Sequence, residues 1–128
     1  MELNDISGVV VDQSVKIHQA LGPGLLESVY QRILGYELRK AGLTVETEVP
    51  VPVEWDGHII DESFRADMIV DGSVLIELKS IESLQPVHKK QTLTYLKLSN
   101  IRLGLIVNFG APLMKDGIHR IVNNLPES

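Results

Sequence analysis

The chain contains no cysteine, which removes both a disulfide framework and thiolate chemistry, so any catalysis must use other groups. It also lacks any apolar run near the ~20 residues that a bilayer-spanning helix needs. The opening MELNDISGVVVDQ does not have the basic-then-apolar order of a signal peptide, and a cytoplasmic location is the expectation. Positive charge is scarce: 12 Lys and Arg stand against 17 Asp and Glu, a net charge of −5. That balance argues against a protein whose main task is gripping phosphates, because such binding draws on Lys and Arg. A metal site built from carboxylates would add to the same negative total, and its cations would reverse the charge locally, so net charge does not decide the matter.

The 128 residues, 44% hydrophobic and 23% charged, suit one soluble domain over 1–128 with a single core. Ile6, Val9, Val10, Ile17, Ala20 and Leu21 recur at helical spacing, interrupted at Gln13 and Ser14, and Asn4 or Asp5 can cap that helix. Gly22-Pro23-Gly24 breaks the chain. A second helical stripe then runs from about Leu25 to Ala41 and stops at Gly42. The stretch from Thr44 to Ser80 is rich in β-branched residues and punctuated by Asp56-Gly57 and Asp71-Gly72, which predicts three antiparallel strands. Pro50 and Pro52 lack the N–H of a central ladder, so the first strand belongs at an edge or carries a bulge. Pro86 opens a helix ending near Asn100, and RLGLIVNFG reads as a strand buried on both faces. The piece in GIHRIVNNLPES has no assignment. The order ααβββαβ indicates an α/β (α+β) fold with helices flanking a central sheet.

In VLIELKS, alternation places Leu75, Glu77 and Lys79 on one face of a strand and Val74, Ile76 and Leu78 on the other. Asp67 sits where the preceding strand enters the core. Two carboxylates brought together repel unless a cation lies between them, and such oxygen ligands suit Mg²⁺ or Mn²⁺. A neighbouring Lys could position or deprotonate a metal-held water, which completes the inventory for phosphodiester hydrolysis. The same residues also fit a solvated face with a weak ion pair. Strand parity separates the readings. A two-residue Asp71-Gly72 turn would pair Asp67 with Ile76 on the core face, whereas a three-residue loop sets it across from Glu77. A site therefore requires an odd-numbered loop with Gly72 left-handed, or a β-bulge between Asp67 and Glu77.

Taken in order, Gly24-Leu25-Leu26-Glu27-Ser28-Val29-Tyr30, Asp67, Glu77-Leu78-Lys79 and Gln91-Thr92-Leu93-Thr94-Tyr95 span most of the chain. The set resembles the PD-(D/E)XK nuclease superfamily, and within it the GxxExxY family and the RecB-like branch with its QxxxY motif. Arg65-Ala66-Asp67 departs from it in having no Pro before the Asp. The resemblance implies a restriction-endonuclease-like core with a central mixed sheet, and a Mg²⁺- or Mn²⁺-dependent nuclease acting on nucleic acid, DNA before RNA. By the resemblance Asp67 and Glu77 ligate the metal, Lys79 orients water or stabilises charge, and Glu27 supplies a further acidic group. His18, in an HxxLGxG context, would be another ligand, or else a partly buried helix histidine bonded to backbone. Gln91 and Tyr95 share a helix face and would contact substrate, with Val87 and Leu98 extending their stripe, and Tyr95 also fits a core aromatic. Lys89, Lys90 and Lys97 form the most basic stretch, where a phosphate backbone would run. The competing class is a non-enzymatic module of this fold that binds a protein or nucleic-acid partner, with a homo-oligomer open.

Overall fold

The structure is a computed structural model describing residues 1–61 and 64–125. Its helices are α1 (Leu3–Leu21), α2 (Glu27–Lys40), α3 (Pro86–Ser99) and the single turn α4 (Met114–Gly117). Its strands are β1 (Val45–Pro50), β2 (Val53–Trp55), β3 (His58–Ile60), β4 (Arg65–Val70), β5 (Val74–Lys79), β6 (Leu103–Asn108) and β7 (Ile118–Val122). Five strands form one mixed sheet in the order β1-β4-β5-β6-β7, in which only β5 and β6 run parallel. The parallel pair is joined by α3, as a crossover requires. The expected α/β architecture, a central mixed sheet flanked by helices, is present. No helix among the described residues is long and apolar enough to cross a membrane.

Two apolar layers cover the sheet. On one face α1 and α2 pack Ile6, Val10, Ile17, Tyr30, Leu34 and Leu38 against Val70, Val74, Ile76, Leu78, Leu103 and Leu105. On the other, Tyr95 and Leu96 of α3 pack against Ile69 and Leu75. All six residues of β6 are buried, as a central strand covered on both faces must be.

Several elements differ from the sequence reading for physical reasons. Helix α1 begins earlier: Glu2 is its N-cap, and Asp5 accepts a hydrogen bond from the Glu2 N–H at 3.2 Å instead of capping from outside. Ser14 faces the core rather than interrupting the stripe. The stretch expected to hold three strands holds five. Pro50 and Pro52 end β1 after the Val51 N–H reaches Phe64 O at 2.8 Å, and the chain then detours into the separate β2–β3 hairpin. Trp55 pairs with His58 across Asp56 (φ 50°) and Gly57 (φ 77°), the doubly left-handed two-residue turn that an Asp-Gly sequence favours. β1 is an edge strand, as its prolines predict. The unassigned tail supplies α4 and β7, and its last residues, 126–128, lie outside the described ones. The stripe of α3 is Thr92, Tyr95 and Leu96, so Val87 (61% exposed) and Leu98 (36%) do not extend it.

Candidate active site

The β4–β5 connection has three residues, because Val70 pairs with Val74. Asp71 (φ 50°) and Gly72 (φ 64°) are both left-handed, and the Ser73 N–H closes the turn onto Val70 O at 3.0 Å. The Asp71 carboxylate is pinned by the Thr44 N–H at 2.8 Å and the Thr44 hydroxyl at 3.0 Å, which offsets the cost of a left-handed non-glycine residue. Met68 pairs with Ile76, and one further step of the same register sets Asp67 opposite Glu77.

At that level side chains take over from the backbone ladder. The Leu78 N–H donates to Asp67 Oδ2 at 2.7 Å, and the Asp67 N–H donates to Glu77 Oε1 at 3.3 Å. Each carboxyl thus grips the opposite strand. Glu77 is only 6% exposed and lies on the α3 side with Leu75, while Ile76 and Leu78 enter the core beneath α1 and α2. Lys79, half-buried, follows Glu77 by one strand period.

A residue that the sequence did not single out stands at the same level. Glu48 lies between Thr47, paired with Met68, and Val49, paired with Ala66, which sets it across β1 from Asp67. Its φ of 52° is unusual for a non-glycine residue within a strand. The Gln31 amide donates to Glu48 Oε1 at 3.1 Å, tying this strand to α2. The alternation of both strands changes here: Val45, Met68 and Val70 join the core under α1 and α2, whereas Val49 and Ala66 join the one under α3. Nothing in the local sequence TEVP announces this; Glu48 is found only by laying β1 against β4 in register.

Burial dominates the electrostatics. It pushes the Glu77 carboxyl up to about 8, with the Asp67 charge as the second cause. Burial also raises Asp67, opposed first by the Leu78 N–H, while the Glu48 charge adds to the rise. Contact between the two carboxyls further raises Glu77 and lowers Asp67. Lys79 lowers both by its charge. It makes no ion pair within 4.0 Å of either: among the described residues the one such pair joins Lys40 and Glu37. Tyr95 is raised by burial, then by the charges of Glu77 and Asp67.

The remaining expected residues are placed differently. Glu27 begins α2 and is exposed, lining a shallow hollow of about 420 Å³ with Leu25, Leu26, Ser28 and Ser80. His18 is buried with Nε2 2.8 Å from the Ala111 carbonyl oxygen, the backbone-bonded alternative of the sequence reading. Among the described residues no three His, Asp or Glu side chains are grouped to share a metal ion. Glu27 shares its hollow with Ser80, the residue that follows Lys79 at the end of β5. Tyr30 of the GxxExxY stretch is a structural clamp. Its hydroxyl donates to Gly22 O at 2.5 Å and accepts from the Leu25 N–H at 3.2 Å, and its ring stacks on Phe109 at 4.2 Å. Gln91, Lys89 and Lys90 are exposed on α3, the helix that also carries Tyr95.

Asn108 fixes the exit of β5. Its side chain accepts from the Ile81 N–H at 3.1 Å and the Gly110 N–H at 3.0 Å and donates to Ile81 O at 3.0 Å, imitating a strand beyond Lys79. A Cβ at Gly110 would collide with the Ile81 backbone, so this approach requires glycine.

Two hard carboxylates held against each other's strands fit a divalent cation that keeps several waters and takes further ligands from a substrate phosphate.

The sequence model described as the PD-(D/E)XK nuclease superfamily matches residues 4–121. No curated protein matches. Among solved structures the chain is similar to the crystal structure of SSO0001, at 24% identity over 94% of this chain and 67% of that one, with a TM-score of 0.48. With the family match running from α1 to β7, the chain belongs to the PD-(D/E)XK nuclease superfamily.

Proposed function

We propose that the protein is a Mg²⁺- or Mn²⁺-dependent nuclease hydrolysing phosphodiester bonds, in DNA first. Membership of the superfamily supports nuclease chemistry on nucleic acid with divalent metal ions in general. The observation that carries the finer reading is the mutual grip of Asp67 and Glu77, each bonded to the other's strand, with Lys79 one strand period further along. Asp67 and Glu77 would hold the ion, which would supply activation of water and neutralisation of charge on the phosphate. Lys79 places its ammonium beside the attacked phosphorus and stabilises the charge that gathers on the non-bridging oxygens as water adds and the P–O bond breaks. Glu27 contributes through water from the rim of the hollow it shares with Ser80, and His18, bonded to the Ala111 carbonyl oxygen, is the further candidate ligand. Gln91, Tyr95, Lys89 and Lys90 line the strand's path along α3. Gly24 to Tyr30 and Gln91 to Tyr95 support the narrower placement in the GxxExxY family and the RecB-like branch.

A binding module without catalysis is favoured by the absence, among the described residues, of a third carboxylate or histidine grouped with the pair. Cleavage of single- and double-stranded DNA with Mg²⁺ or Mn²⁺, beside Lys79→Ala, separates the two. Metal-dependent cleavage lost in the variant supports the nuclease, and stoichiometric binding with no cleavage in either ion supports the module.

A further inference from the structure

Six aromatic residues occur in the chain, and Phe64 has a singular position among them. Tyr30 and Phe109 stack in the core. Phe64 immediately precedes β4, three residues before Asp67, and remains 43% exposed. Its ring lies 6.1 Å from that of Tyr95 at an interplanar angle of 50°, so Tyr95 supports it from the α3 side. Its carbonyl is tied to the Val51 N–H at 2.8 Å, which fixes the backbone that carries the ring. The ring is a part-exposed flat face held against Tyr95, whose phenol feels the charges of Glu77 and Asp67.

Building on the nuclease reading, we propose that Phe64, braced by Tyr95, is a stacking platform for an unpaired nucleobase beside the scissile phosphate, which makes single-stranded nucleic acid the preferred substrate. Lys89 and Lys90, exposed on α3, can meet phosphates but carry no preference between one strand and two. Base stacking on an aromatic ring supplies that preference and tolerates every sequence. A base inside a duplex is already stacked on both faces and cannot reach the ring without leaving its helix.

The test uses the full chain with a ten-residue oligothymidylate, an abasic strand of equal length and a duplex. Phe64→Ala is expected to raise KM for oligothymidylate by about tenfold or more with kcat little changed, on the scale of one lost base stack. Phe64→Leu keeps apolar bulk without a π face and behaves like Phe64→Ala, while Phe64→Trp restores wild-type KM. On the abasic strand all four proteins have the same KM. The proposal is overturned if Phe64→Leu matches wild type, if the loss persists on the abasic strand, or if duplex is cut with an equal or lower KM. Should the wild type cleave nothing, the nuclease reading fails separately. Anisotropy of labelled oligothymidylate in Ca²⁺ then decides the platform: weaker binding by Phe64→Ala supports it and unchanged binding overturns it.

Discussion

Glu77 is the residue on which the account rests, and its chemistry differs between metal-free and charged conditions. Its carboxyl is held up to about 8 in the fold against an ordinary 4.5. A group with a raised folded value binds its proton more tightly when folded. Its stabilising contribution is therefore complete below the ordinary value and disappears as pH climbs through about 8. Thermal unfolding in EDTA should show the midpoint falling between pH 5 and pH 9, with the fall much reduced in Glu77→Gln. An equal fall in that variant would assign the titration elsewhere. Lys79 is tested by rate rather than stability. Lys79→Ala should lower kcat by about 10²–10³-fold, the scale of losing one preorganised charge contact, while leaving the unfolding midpoint nearly unchanged.

At the scale of elements, the spatial relation of β4 to β5 was legible because period-two alternation and loop parity tie Asp67 to Glu77 once Val70 pairs with Val74. Helices α2 and α3 were legible from their spacing and from Pro86 and Asn100, the latter a left-handed C-cap at φ 55°. Three features were not. Glu48 acquires its place only from the β1–β4 register and a backbone conformation that no local signal marks. The β2–β3 hairpin hides inside an apparently continuous β-rich stretch that Pro50 and Pro52 divide. Glu27 was expected with the pair, and His18 either as a ligand or bonded to backbone; Glu27 opens α2 beside Ser80 and His18 bonds the Ala111 carbonyl oxygen, spatial relations that linear motif order does not encode. The turn after β6 gives an element-scale prediction. Gly110→Ala drives a methyl group into the Ile81 backbone that Asn108 holds. It should cost about 1–3 kcal/mol, as overpacking does, and lower kcat with it because Lys79 loses its anchored exit. Denaturant unfolding beside single-turnover cleavage would check both, and a fully stable, fully active variant would remove the positioning role of Asn108 and Gly110.

For the whole molecule, ion binding and folding are linked, since a cation that sits between Asp67 and Glu77 binds the native state and relieves a repulsion that only the fold creates. Mg²⁺ or Mn²⁺ at a hundred times its Kd should stabilise the protein by about 2.7 kcal/mol, seen as a midpoint several degrees higher at pH 8, with no such shift in Glu77→Gln. The most direct test of the central claim is a side-by-side cleavage assay at pH 8 of wild type, Glu77→Gln and Lys79→Ala on single- and double-stranded DNA, with Mg²⁺, with Mn²⁺ and with EDTA. The account predicts cleavage by wild type only with a divalent ion, and its loss by at least about a hundredfold in both variants. Cleavage that persists in EDTA, or that survives undiminished in Glu77→Gln and Lys79→Ala, would contradict it.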